Sequence, residues 1–312
     1  MRKTLRLVTM ALLIATCLVA CKKKNEEVYI DPEAGKPAPQ GAVKVGRFHV
    51  GKGVFVWFAQ GNLKYHPYHN SWQFAENQYD VIGQSNEEVK SNYFGWIDLF
   101  GWGTGVNPTE TSVSDADYPD FNDWGDNIIT NGGNQRGLWR TLSHTEWIYL
   151  LRGRKNASNL FGVATIKASP DVKGLVLLPD NWHKPENSHF EPATKHTKRW
   201  ELWEGNSYYY HIEDTYQYDA NIYTLNEWKA MQDSGAVFLP DAGDAVQTND
   251  ETPLTYYADR HEYWCSSPID GYAYYIGGDV STAPSDNDDG PVWYLYLMPK
   301  RKKFRLPVRL VR

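Results

Sequence analysis

Apolar and polar positions divide this chain into three stretches. Residues 7–20 are almost entirely apolar and follow the basic start Arg2, Lys3 and Arg6. The run is shorter than the roughly 20 residues a spanning helix needs, so it predicts a signal peptide over residues 1–20 rather than a transmembrane helix. Residues 21–45 carry Lys22, Lys23, Lys24, Glu26 and Glu27, then Pro32, Gly35, Pro37, Pro39 and Gly41, with few large apolar side chains. That composition predicts a flexible tether. Over residues 46–312, short apolar runs alternate with turn residues, which predicts one folded domain rich in short strands.

Within that domain, residues 47–50 and 54–59 read as a hairpin around Gly51, Lys52 and Gly53. Two stretches read as helices. Ser143-His144-Thr145-Glu146 and Thr224-Leu225-Asn226-Glu227 are capping boxes, in which hydroxyl and carboxylate each satisfy an orphan amide of the first turn. Trp147, Leu150 and Leu151 then fall on one face, as do Trp228 and Met231. Each helix leads to an apolar run with the same ending, residues 174–180 and 235–241, both closing on Leu-Pro-Asp. Unlike spacing between the two copies excludes a solenoid, so they are read as equivalent parts of one domain. Residues 272–276, 292–298 and 304–311 read as strands, the last with Phe304, Leu306, Val308 and Leu310 on one face and Arg305 and Arg309 on the other. Pro307 places that strand at a sheet edge, or turns its amide side to solvent. The expected fold class is α+β, with two helices, many short strands and long loops.

Charge and cysteine content narrow the function. Removing the signal peptide takes away three basic residues and makes a formal net charge of −6 more negative. An acidic domain without a basic stripe argues against nucleic acid, whose phosphates need cationic neutralisation. Lys300-Arg301-Lys302-Lys303 reads as a solvated run. Of three cysteines, only Cys265 is neither in the signal nor at its end, so no intrachain disulfide is available and the core alone must hold the fold. Cys265, between Trp264 and Ser266, reads as a small buried apolar residue rather than a nucleophile.

Chemistry-bearing motifs are sparse. The nine histidines lack metal-ligand spacing. His66 and His69, flanking Pro67, read as surface-loop residues with a metal pair as the alternative. Asp286, Asp288 and Asp289 offer hard oxygen ligands for calcium, without the register of an EF-hand. Asp115, Asp117, Asp120, Asp123 and Asp126 fall among glycine, proline and asparagine, as surface loops require. With 38 acidic residues, nothing selects a catalytic carboxylate pair, and no Gly-x-Ser-x-Gly elbow is present. The aromatic content, 14 %, points toward binding. Tyr208, Tyr209, Tyr210, Tyr216, Tyr218 and Tyr223 lie in a polar stretch, and tyrosine gives large contact area at small entropic cost. The alternative is that these rings cover the core.

Two resemblances add to this reading. Leu18-Val19-Ala20-Cys21 resembles the lipobox of bacterial lipoproteins, which implies cleavage before Cys21 and acylation of its thiol. Such an anchor holds stably with two or more acyl chains. Lys22 after that cysteine implies the outer membrane, and Glu26-Glu27 resembles an acidic surface-export tag. Residues 137–149, with Arg140 before the helix cap and Glu146-Trp147 within it, resemble the formylglycine-generating-enzyme-like branch of the C-type-lectin fold. Gly61-Asn62-Leu63-Lys64-Tyr65, Trp72-Gln73-Phe74, Gly95-Trp96-Ile97-Asp98, Trp124-Gly125-Asp126-Asn127, Tyr263-Trp264-Cys265 and Val308-Arg309-Leu310-Val311-Arg312 resemble bacterial surface lipoproteins related to the display proteins of diversity-generating retroelements.

That likeness spans residues 46–312 and implies a C-type-lectin-like domain. It also implies a C-terminal binding face that would include Tyr272, Tyr274, Tyr275, Trp293, Tyr294 and Tyr296. The family's oxidising activity needs a cysteine pair that is absent here. A histidine–carboxylate iron set and the Glu-Pro-Asn and Trp-Asn-Asp motifs of calcium-dependent lectins are absent too. The expectation is a non-enzymatic lipoprotein at the cell surface that binds or adheres to an extracellular glycan or protein and needs no cofactor. The alternatives are an enzyme or accessory factor for exported glycans or peptides, and a structural subunit of a surface fibre.

Overall fold

Both expected helices form where their capping boxes stand. In α1, His144–Ile148, Ser143 Oγ accepts from the Glu146 amide at 3.3 Å and the Glu146 carboxylate accepts from the Ser143 amide at 2.8 Å. Arg140 grips the same carboxylate with two N–H groups, at 2.9 and 2.5 Å. The helix runs on into a π-helical turn, Tyr149–Gly153, and buries Trp147, Leu150 and Leu151. In α2, Leu225–Asp233, Thr224 and Glu227 make the same reciprocal pair while Trp228 and Met231 point into the core. The helix stops at Gly235, whose φ of +98° favours a residue without Cβ.

The computed structural model describes residues 29–193, 197–203, 207–212, 218–249, 251–258, 260–281 and 292–312; at 197–203, 207–212, 279–281 and 292–294 the description is of the backbone. Cys21, Tyr216, Asp286, Asp288 and Asp289 lie outside the described residues. The architecture is α+β. The hairpin Phe48–Gly51 with Val54–Val56 forms as expected, and a second hairpin joins Leu63–His66 to Ser71–Phe74. A four-stranded sheet runs in the order Ile222–Thr224, Phe161–Lys167, Val172–Leu177, Val237–Pro240. The two echoed segments therefore meet, with Val237 opposite Leu177 and Pro240 opposite Gly174. A second four-stranded sheet orders Thr255–Tyr257, Asp244–Val246, Arg305–Pro307, Leu99–Gly101. The largest sheet has five strands: His261–Ile269, Tyr272–Ser281, Val292–Arg301, Ser207–Ile212 and Thr197–Trp203.

That five-stranded sheet stands between two cores, because alternate residues of a strand point to opposite faces. Tyr263, Cys265, Tyr274, Ile276, Leu295 and Leu297 pack on one side with the α1 residues. Trp264, Ala273 and Tyr275 pack on the other with Trp102, Trp124, Trp139, Leu306, Val308 and Leu310. Indole N–H groups stitch the second core to the backbone: Trp264 Nε1 donates to Phe100 O at 2.8 Å and Trp102 Nε1 to Cys265 O at 2.9 Å. A third cluster lies under α2, around Tyr223, Trp228 and Phe238. Tyr218 and Tyr223 are thus core rings, not a binding surface. Cys265 is fully buried, and burial pushes its thiol up.

Three expectations change. The tether was expected to reach residue 45, yet the packed unit spans Glu33–Arg312. Ala42 and Val43 are buried, and the Val43 amide donates to Phe58 O at 2.9 Å. Small residues let this segment lie flat against the strands, a role its composition hid. The last strand is only Arg305–Pro307, and it is flanked on both sides, by Asp244–Val246 and Leu99–Gly101. Pro307 is tolerated there because pairing with the first neighbour is confined to Arg305 opposite Ala245. Its alternation is right, but the arginine face is buried.

Arg309 is 2 % exposed and donates to Asn62 Oδ1 at 3.0 Å, Phe238 O at 2.8 Å and Ala59 O at 3.2 Å. Arg305 donates to Leu99 O at 2.9 Å and Pro108 O at 2.8 Å. The basic run beside them is solvated only in part: Arg301 is exposed, while the Lys300 and Lys302 side chains are largely buried. Lys302 is buried over the Trp102 ring and donates to Tyr118 O at 3.1 Å.

Burial pulls the Arg309 guanidinium down to about 10, so it remains charged at neutral pH. Replacing it by methionine orphans the buried acceptors it serves, and Arg309→Met is expected to cost roughly 3 kcal/mol in denaturant unfolding. Ser143→Ala, which removes one cap, should cost about 1 kcal/mol in the same measurement.

Candidate ligand-binding site

Of the aromatic residues expected to form a binding face, those with described side chains do not share one. Tyr274 and Tyr275 are adjacent on one strand and point to opposite cores, at 6 % and 8 % exposure. Tyr274 stacks on His144 with centroids 3.8 Å apart, and Tyr275 meets Tyr296 edge-on at 5.6 Å. Tyr272 is exposed and Tyr296 partly buried. Trp293 and Tyr294 lie on the next strand opposite Val280 and Asp279, their side chains outside the described residues. Strand alternation, invisible to a count of tyrosines, is the reason.

Another constellation is assembled instead. Tyr65 and Ile97 form an antiparallel bridge, exchanging amide–carbonyl bonds of 2.8 and 2.9 Å. Tyr65, Ile97 and Leu99 turn into the core. The intervening residues Lys64, His66, Trp96 and Asp98 therefore share the opposite face. Lys64 Nζ sits 4.6 Å from the Trp96 ring centroid, and His66 meets Trp96 edge-on at 5.1 Å.

The ring contacts continue outward. His66 lies 4.4 Å from His69, His69 lies 5.2 Å from Tyr68, and Tyr68 stacks on Phe94 at 3.9 Å with planes 25° apart. This makes a continuous row of five rings from Trp96 to Phe94. Its outer end is strongly solvent-facing, with Tyr68 54 % and Phe94 68 % exposed. The loop holds this shape through the Tyr68 amide, which donates to Tyr93 O at 3.2 Å, and through Tyr65, whose hydroxyl donates to Asn70 Oδ1 at 3.0 Å. Asn70 takes a positive φ of 46° at the turn.

At the inner end, Trp96 borders a cleft of about 110 Å³ whose walls include Asn62, Ala75, Val81, Ile82 and Asp98. Asp98 is 3 % exposed. Its carboxylate accepts from Asn86 Nδ2 at 2.8 Å and from the Ile82 amide at 3.0 Å. Burial raises its pKa from 3.8 to about 6, with those hydrogen bonds and the Lys64 charge opposing the rise. Asn62 is fixed behind the cleft by Tyr263 and Arg309.

The other concentration of charge is closed upon itself. Lys300 Nζ reaches Asp244 at 2.7 Å and also bonds the Glu262 carboxylate, while lying over the Phe304 ring. Burial raises the Glu262 carboxyl, and Lys300 counters part of that rise. The acidic loop residues serve the backbone. Asp123 accepts from the Thr141 and Gly125 amides, and Asp115 from the Lys303 amide. Among the described residues, no group of three or more His, Cys, Asp or Glu is placed to hold a metal ion. His66 and His69 do sit together, but as part of the ring row.

Tyr68, Phe94, Lys64, Trp96 and Asp98 escape a sequence reading aimed at dense tyrosine. The signal available was Trp96-Ile97-Asp98-Leu99, whose alternation separates a core face from an aromatic and acidic one.

Because the folded carboxyl of Asp98 has a raised pKa, its contribution to stability is full below 3.8 and is lost as pH rises through about 6. A carboxyl-detected NMR titration should find its midpoint near 6, and Asp98→Asn should flatten the stability profile across that window. A midpoint at 3.8 would contradict the burial argument. No family model, curated protein or solved structure matches this chain.

Proposed function

We propose that this chain is a lipid-anchored protein of the outer membrane, displayed at the cell surface, whose C-type-lectin-like domain binds an extracellular glycan or protein without transforming it. The observation that carries the binding part is the exposed Tyr68–Phe94 stack at the end of the ring row. What sets these two rings apart from other exposed apolar residues is that they stack on one another, and contiguous exposed apolar surface is what marks interaction sites. Val81, also exposed, lines the cleft that Trp96 borders.

The non-catalytic part is supported by the carboxyl groups. Asp98 borders the cleft, whereas Glu262 is sequestered by Lys300, so the two most strongly raised carboxyls do not face one substrate. The lectin-like fold is supported by the two capped helices and by the chain's return on itself. The Trp57 amide donates to Arg312 O at 2.7 Å, closing the last residues against the first strands. Anchoring is supported by the basic start, the apolar run and Cys21. Among the described residues no helix is long and apolar enough to cross a membrane.

The site is tested with the purified full chain on a glycan and peptide array. Spots bound by the native chain should weaken about tenfold in the Tyr68→Ala/Phe94→Ala variant, a loss of roughly 1.4 kcal/mol, while thermal unfolding stays unchanged. An array on which nothing binds, or binding indifferent to both rings, refutes this site. For the anchor, Cys21→Ser should abolish palmitate labelling and release the protein from envelope fractions. Labelling that persists would remove the lipoprotein reading.

A further inference from the structure

Resting on the reading of the ring row as a binding surface, we infer that its ligand is an N-acetylated amino sugar, with a pyranose on the rings and its acetamido group in the cleft beside Trp96. Size sets the first constraint. At about 110 Å³ the cleft is small beside the roughly 300–1,000 Å³ of pockets that enclose a whole ligand, so it takes a substituent. The remainder of the ligand must lie outside, along the row that leads from Trp96 to Tyr68 and Phe94.

The chemistry of the walls sets the second. Ala75, Val81 and Ile82 give the cleft an apolar side. Asp98 offers acceptor lone pairs beyond the single donor that each oxygen already receives, and Lys64 offers ammonium donors. An acetamido group matches all three: a methyl for the apolar wall, an N–H for the carboxylate and a carbonyl oxygen for the ammonium. Asp98 and Lys64 have opposite charges within one electrostatic environment, so the cleft suits a neutral polar group better than an ion.

The rings set the third. A pyranose presents a flat patch of C–H groups that can lie on an aromatic face, and the Tyr68–Phe94 stack leaves outer faces open to it. A protein partner would need about 800 Å² on each side, with a hydrophobic centre. Here the exposed aromatic contact is the Tyr68–Phe94 pair, with exposed His69, Asn70 and Asn92 close by in the chain. A contact of that size suits a saccharide ring.

The test is isothermal titration of the purified full chain with the β-1,4 trimer of N-acetylglucosamine and, separately, the β-1,4 trimer of glucose. The acetylated trimer should bind at least about tenfold more tightly, a difference of roughly 1.4 kcal/mol. Val81→Arg, which fills the mouth of the cleft, and Lys64→Met should each erase that preference. Phe94→Ala should weaken both trimers while leaving their ratio intact. Thermal unfolding of each variant separates lost binding from lost fold. Equal binding of the two trimers, weakened by Phe94→Ala, overturns the acetamido assignment and leaves the ring row standing. Absence of binding by either trimer overturns the inference outright, and the array then decides the ring row by itself.

Discussion

A guanidinium held in the interior joins three parts of this chain that are far apart in sequence. Arg309 takes the side chain of Asn62, the carbonyl of Ala59 and the carbonyl of Phe238 into one hydrogen-bonded knot. Among the described residues no carboxylate lies within ion-pair distance of it, so oxygen dipoles carry the charge. Such a group is costly to bury and more costly to disappoint, which makes the knot intolerant of shifts in any of the segments it joins. Asn62 passes the constraint to Tyr263, whose hydroxyl donates to Pro240 O at 2.9 Å. The Leu-Pro-Asp strand end, the turn after the first hairpin and the last residues are thereby fixed together. The back wall of the cleft is part of the same knot.

Among the described residues there is no disulfide, so specificity of packing comes from groups that hold rings in orientation. The core that holds Trp264 and Trp102 does this with indole N–H bonds and with cations lodged over rings, as Lys302 is over Trp102 and Lys300 over Phe304. Each such contact joins an apolar face to a polar handle, so it favours one packing over the many that hydrophobicity alone would allow. The same device appears at the surface, where Lys64 lies over Trp96. Rings that are anchored at the inner end and open at the outer end form a preorganised surface, and preorganisation reduces the entropic cost of binding.

Most local structure was legible because it depends on residues close in sequence. Ser143 with Glu146, and Thr224 with Glu227, specify helix starts from four residues each, and both helices begin there. The hairpin around Gly51 and the buried apolar runs before Pro179 and Pro240 were equally readable. Errors arose where composition stood in for contact. Ala42 and Val43 looked like tether because small residues carry little hydrophobic signal, yet they pack on Phe58 and Ala59. Arg305 and Arg309 were placed on the strand face opposite the apolar one, but buried arginines are uncommon and only the surrounding carbonyls, which the sequence does not show, make their burial tolerable. The tyrosine-rich strands looked like one binding face, but neighbouring positions on a strand point to opposite sides.

What the sequence determined by itself is therefore the set of elements: two capped helices, a first hairpin, and alternating strands with enough rings to fill a core. These depend on local hydrogen bonds and on periodicity, which a chain carries in its order of residues. What the tertiary structure decided is which rings remain outside. Tyr68 and Phe94 meet His66, Trp96 and Asp98 only because Tyr65 pairs with Ile97 across a loop. That pairing sets the face each side chain takes and brings a desolvated carboxylate to the edge of a cleft, and no window of sequence contains both strands.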